Sequence, residues 1–160
     1  FTRSPRRRKV EAPATAPPRL RDRRLMFKRP PVAPYLTVSP AYAAIAFYMT
    51  VFGATQKALM PSLDGLRVAH CELEINGGAV MLADMFPELG QTRVPMPMDP
   101  ATVSISLEYE SMEEMEKVRE RALTLGAKAE MGPTDTLWGT RLATLRDPFG
   151  HRWILTAQRF

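Results

Sequence analysis

Two stretches of this chain end an apolar helix-like pattern in the same way, "FGA" at 52–54 and "LGA" at 125–127, 73 residues apart. Each follows a serine by nearly the same distance, Ser39 to Gly53 and Ser111 to Gly126. A strand-like segment precedes each serine and hairpin-like segments follow each glycine. Such an internal duplication restricts the fold more than any other feature here, because each unit must bury its apolar face against its copy.

The first copy opens with a short strand at 33–38, "APYLTV". Ser39 and Pro40 read as an N-cap serine with proline at the first helical position. Ala44, Ile45, Tyr48, Val51 and Phe52 then form the buried stripe of a helix over 40–52, which Gly53 ends. Strands at about 66–75 and 79–84 flank Asn76-Gly77, a strong hairpin signal. The second copy has an alternating strand at 102–109 and a capping box from Ser111 and Glu114. Its helical stripe of Met112, Met115, Val118, Ala122 and Leu125 stops at Gly126, and strands at about 127–131, 140–146 and 151–157 complete it. Asp147-Pro148-Phe149-Gly150 joins the last two strands with the residue preferences of a type I turn. The pattern predicts α+β modules at about 32–84 and 102–157, with residues 85–101 as a proline-rich linker.

Length and composition limit what the two modules can be. At 160 residues and 45% hydrophobic content, the chain suits one domain with a real core. Cys71 is the sole cysteine, which excludes an internal disulfide and a cysteine zinc cluster and fits a reducing cytoplasm. The longest nearly apolar run, 41–54, is too short to cross a bilayer, and the N-terminus shows no apolar signal-peptide core. A cytoplasmic location without membrane contact is expected.

The basic pI near 9.7 does not describe the domain. Residues 1–31 carry eleven Lys/Arg against Glu11 and Asp22, net +9, while residues 32–160 hold 11 of the 22 basic and 15 of the 17 acidic residues, net −4. That Pro- and Arg-rich leader has no apolar periodicity and reads as disordered. An Arg-rich tail can bind phosphates without reading sequence, but no aromatic residues interleave to stack bases. Nucleic acid is therefore not the expected partner.

The segments "PYLTV", "AIAFYMTVFGA", "VAHCELEINGGAVMLAD" and "WGTRLATLRDPFGHRWIL" together resemble the vicinal oxygen chelate superfamily, also called the glyoxalase/bleomycin-resistance/dioxygenase fold. The PhnB-like branch is the nearest match, and the likeness spans about 32–157. The resemblance implies two βαβββ modules whose mixed sheets form a cupped cleft with helices outside, and a homodimer. It also implies four metal-coordinating positions, which fall here at Ala33, Leu82, Ser104 and Ile154. Three of these side chains offer no lone pair and serine is a poor neutral ligand, so neither a metal nor any other cofactor is expected.

On that register the cleft takes Tyr35, Thr37, Asp84, Ser104 and Arg152 among its lining. In "RVAHCELEI" it takes His70 and Glu72, because Cys71, Leu73 and Ile75 suit the helix side. His70 is the best catalytic candidate, able to pair with Glu72 or Asp84 as an acid–base unit or to serve only as a satisfied polar bridge. Trp138 and Arg141 stand where PhnB-like sequences read "WGDRYGT", but Thr140, Leu142 and Ala143 replace its Asp, Tyr and Gly. Trp138 reads as a stacking wall or an ordinary edge residue, and Arg141 as an anion anchor or a surface charge. His151 reads as packing near Asp147. The expected function is metal-free binding of a small molecule, and the alternative is a lyase, isomerase or other enzyme using His70 and nearby carboxylates.

Overall fold

The computed structural model describes residues 30–90, 92–96 and 99–159. Of the leader expected to be disordered over 1–31, residues 1–29 lie outside the described residues. In chain order the elements are β1 (Tyr35–Val38), α1 (Ala41–Phe52), β2 (Thr55–Pro61), β3 (Val68–Ile75) and β4 (Gly78–Asp84), then a single 3-10 turn (Pro87–Leu89). The second module follows with β5 (Ser104–Tyr109), α2 (Met112–Thr124), β6 (Lys128–Asp135), β7 (Thr140–Arg146) and β8 (Arg152–Gln158).

Each copy builds one four-stranded mixed sheet, in the orders β1-β4-β3-β2 and β5-β8-β7-β6. The first strand of each copy pairs in parallel with the last, and the remaining pairs are antiparallel. The duplication read from "FGA" and "LGA" is thus a duplication of topology, two βαβββ modules in an α+β fold.

One hydrophobic core joins them. Leu36, Val38, Leu73 and Leu82 of the first sheet belong to the same buried cluster as Leu107, Leu145, Trp153 and Leu155 of the second. The α1 rings cross the boundary: Phe52 and Tyr48 lie 4.4 and 5.3 Å from Trp153, centroid to centroid. Asp147 locks this junction. Its Oδ2 accepts from Tyr48 Oη at 2.6 Å and from Trp153 Nε1 at 2.8 Å, and its Oδ1 accepts from the Phe149 and His151 amides at 2.9 Å. Burial, and then the facing Asp147, push the Tyr48 phenol well above its usual range, so Tyr48 serves as a donor. Gly150 N–H closes the turn onto the Asp147 carbonyl at 3.1 Å.

Three expectations need correction. Ser39 does not cap α1: the Ser39–Pro40 peptide is cis, Pro40 occupies the N-cap, and no side chain of that segment bonds the helix. Asp84 of β4 does so instead, its Oδ1 accepting the Ala41 amide at 2.9 Å. Strand β2 lies in 55–61, where no strand was expected, because this edge strand shows no half-buried alternation and ends in Pro61. Strand β6 continues past 131 to Asp135 through Gly132-Pro133, with register breaks that only an edge strand tolerates.

Half of the α2 capping box forms: Ser111 Oγ accepts the Glu114 amide at 3.1 Å, with no return bond from the Ser111 amide to the Glu114 carboxylate among the described residues. Ser111→Ala is expected to cost about 1 kcal/mol of stability in urea denaturation. Ser39→Ala, which breaks no capping bond, is expected to stay within about 0.5 kcal/mol of the parent.

Candidate functional site

Alternation along each strand sorts side chains between the helix side and a helix-free face. Tyr35 and Thr37 register with Met81 and Ala83 across β1–β4, and Glu72 registers with Met81 across β3–β4. These residues therefore share the free face of the first sheet with His70. The second sheet presents Ser104, Ser106 and Glu108 of β5 beside Arg152, Ile154 and Thr156 of β8, with Leu142, Thr144 and Arg146 of β7 beyond.

The free face of the first sheet carries a hydrogen-bonded chain. Tyr35 Oη lies 2.9 Å from His70 Nδ1, and His70 Nε2 lies 3.2 Å from Glu72 Oε1. With the Glu72 carboxylate as acceptor, the ring proton sits on Nε2, and Nδ1 accepts the Tyr35 hydroxyl proton. Burial raises the Tyr35 phenol above its usual range, and Cys71 and Glu72 add to the effect. Tyr35 thus remains a neutral donor with a basic nitrogen behind it, although 51% of the residue is exposed. Cys71, on the helix side, is held inert: burial and Glu72 push its thiol up to about 11.

Two hydrogen bonds link the modules here, one to β1 from the turn before β8 and one to β5 from the β3–β4 turn. His151 Nε2 donates to the Thr37 carbonyl at 2.9 Å, and the Asn76 side-chain amide donates to the Glu108 carbonyl. His151 is therefore a strut between modules, in line with its reading as packing. At this seam lies an open cavity of about 450 Å³ lined by Tyr35, Arg93, Pro95, Arg146 and Arg152 among others. Glu130 receives Arg146 Nε on Oε1 and Arg152 Nε on Oε2, each at 2.7 Å. Burial works against the charge on Glu130, yet the hydrogen bonds from both arginines hold its carboxyl below the usual range. Arg152 Nη1 also donates to Ser104 Oγ at 2.8 Å.

Sequence reasoning brought Tyr35, Thr37, His70, Ser104 and Arg152 to helix-free faces and missed Glu130, Arg146 and Arg93. A signal for one of these was present. Arg146 and Arg152 flank the DPFG turn and face each other in the β7–β8 ladder. Like charges placed opposite are unfavourable unless a carboxylate sits between them.

Other candidates lie elsewhere. Asp84 is 5% exposed, and both its oxygens serve backbone amides, Oδ1 that of Ala41 and Oδ2 that of Val68 at 2.7 Å. It caps a helix and ties down β3. Leu82, with Val80 and Asp84, faces the core, so β4 presents the opposite set to the free face. Arg141 pairs in register with Ala157 on the helix side, its Nε 3.6 Å from Glu116 and 3.8 Å from Asp135. Trp138 stands at the β6–β7 hairpin tip, 74% exposed.

Residues 31–155 match the Glyoxalase/Bleomycin resistance protein/Dioxygenase superfamily. The chain belongs to this superfamily. An uncharacterized protein of Mycobacterium tuberculosis is 36% identical over 128 residues, covering 79% of this chain and 73% of the relative. The fold is similar to that of protein PA1353 from Pseudomonas aeruginosa, at TM-score 0.63 and 22% identity over 79% of this chain and 96% of the other. It is also similar to a PhnB protein from Bacillus cereus (TM-score 0.63, 19% identity, 80% and 99% coverage). A third likeness is to the fosfomycin resistance protein FosX from Listeria monocytogenes, solved with Mn(II) and sulfate (TM-score 0.59, 17% identity, 82% and 93% coverage).

The metal that the superfamily resemblance implies does not fit this chain's side chains. Ala33 and Ile154 have no donor atom, and Ser104 Oγ is engaged by Arg152. The β4 position, moved to the free face, becomes Met81 or Ala83, a thioether or a methyl group. Among the described residues, no group of three His, Cys, Asp or Glu side chains could hold an ion.

Proposed function

We propose that this superfamily member binds a small molecule at the seam of its two sheets, through its own side chains and without a metal ion. The observation that carries this reading is the substitution of function at the implied coordinating corners. Donors for an ion are missing there, while organic hydrogen-bonding groups gather nearby: Tyr35 and His70 on one face, Ser104 and Arg152 on the other. The fold likeness to the Bacillus cereus PhnB protein favours the PhnB-like branch. A homodimer completing the helix-free faces and a cytoplasmic location belong to the same reading.

The test is a thermal-shift screen of the full chain against metabolites and antibiotics, with and without chelator. A hit is expected to raise the melting point by mass action to the same extent in both conditions. Tyr35→Phe is expected to weaken that ligand about tenfold, the worth of one good hydrogen bond left unmade. Stoichiometric bound zinc, nickel, manganese or iron, with binding lost on chelation, would overturn the metal-free reading.

The Tyr35–His70–Glu72 chain favours a second reading, an acid–base enzyme. Tyr35 would take a proton from a substrate while passing its own to His70 Nδ1, leaving an imidazolium whose charge the Glu72 carboxylate at Nε2 stabilises. Turnover falling about a hundredfold in His70→Gln, with ligand affinity kept, would select this reading over simple binding.

A further inference from the structure

We propose that the seam cavity receives an anionic group of the bound molecule, a carboxylate or a phosphate, and that Arg152 and Arg146 are its seat. This rests on the small-molecule reading above and adds the chemical class of the ligand. Two guanidiniums face each other in one ladder and share a single carboxylate, Glu130, each at 2.7 Å. One positive charge is therefore left uncompensated by that cluster. Arg146 spends Nη1 on the Asp99 and Gly150 carbonyls at 3.3 and 3.1 Å, and Arg152 spends Nη1 on Ser104. Both Nη2 groups keep their N–H donors without a hydrogen-bond partner among the described residues, and both arginines are among the residues that line the cavity.

The charge is also poorly screened. The side chains of Arg146 and Arg152 are only 13% and 29% exposed, and a cation held away from bulk water acts more strongly on an approaching anion. Arg93 adds a third guanidinium on the same cavity, tied loosely to Asp99 at 3.6 Å. A rigid fork with spare donors matches the two or three oxygens of a carboxylate or phosphate. A cluster built only to pin the linker would need Arg146 and Glu130; a second arginine opposite the first, with donors to spare, suits a ligand.

The experiment is calorimetric titration of the full chain with inorganic phosphate and with succinate at constant ionic strength held by chloride. Binding of at least one is expected, and the stronger of the two indicates a phosphoryl or a carboxylate source. Arg152→Gln is expected to weaken it about tenfold. Glu130→Gln, which removes the competing carboxylate, is expected to tighten it about fivefold. If Arg152→Gln fails to fold, Arg93→Gln replaces it, with an expected loss of about threefold. Affinities unchanged in the variants would overturn the proposal. So would a parent protein that ignores both anions while a neutral screening hit binds in the cavity, an outcome that leaves the small-molecule reading standing.

Discussion

Asp147→Asn is expected to cost about 4 kcal/mol and to lower the melting point by on the order of 10 °C. The aspartate accepts four hydrogen bonds and donates none, and it is 4% exposed. An asparagine can offer its carbonyl oxygen to one pair of donors only. Its NH2 group must then face the other pair: Tyr48 Oη and the Trp153 indole, both fully buried, or the Phe149 and His151 amides. A buried donor without an acceptor costs about 1–3 kcal/mol, and two are orphaned at once. Tyr48→Phe deletes one donor and leaves three on the carboxylate, so its cost is expected to be about 1 kcal/mol. Urea denaturation of both variants checks the ordering. Equal, small losses would mean that Asp147 matters only as a turn residue and does not join the modules.

The same residue shows where sequence was informative. Its place at the head of "DPFG" is local chemistry and could be read directly. Its bond to Tyr48 spans 99 residues and leaves no local trace. Asp84 is a parallel case, capping a helix that begins 43 residues earlier. Strands β3, β5 and β8 were readable because one face is buried and the other is not, which is the source of period-two patterning. Strand β4 was readable as a strand but not in its facing, since "AVMLAD" is almost wholly apolar on both faces, and its side-chain direction follows from the parallel pairing of Tyr35 with Met81. Arg141 was placed by likeness to a related motif, whereas its alternation with Ala143 and Leu145 puts it on the helix side. The relay of Tyr35, His70 and Glu72 could be anticipated in part, because His70 and Glu72 share one face of one strand. Glu130 could not, lying in an edge strand interrupted by Gly132 and Pro133.

Gly150→Ala is the second large effect expected, about 3 kcal/mol, and it connects stability to the cavity. The glycine has φ +93°, a conformation costing an L-residue roughly 1 kcal/mol. The added Cβ would also lie 2.9 Å from Pro95 Cβ and 3.0 Å from the Pro95 carbonyl oxygen. Neither contact is the far end of a flexible chain, so the linker must move, and overpacking of this kind costs about 1–3 kcal/mol more. Gly53→Ala isolates the first contribution, because φ there is +66° with nothing within 4 Å of the new Cβ. Its loss is expected to stay near 1 kcal/mol. Displacing the turn also disturbs the Gly150 carbonyl that holds Arg146 Nη1, and Pro95 itself lines the cavity. Gly150→Ala is therefore expected to weaken phosphate or succinate binding at a temperature where the variant is still folded, while Gly53→Ala leaves that affinity alone. Equal destabilisation by the two substitutions would show that the linker yields freely at Pro95, and the cavity wall would then not be fixed by this contact.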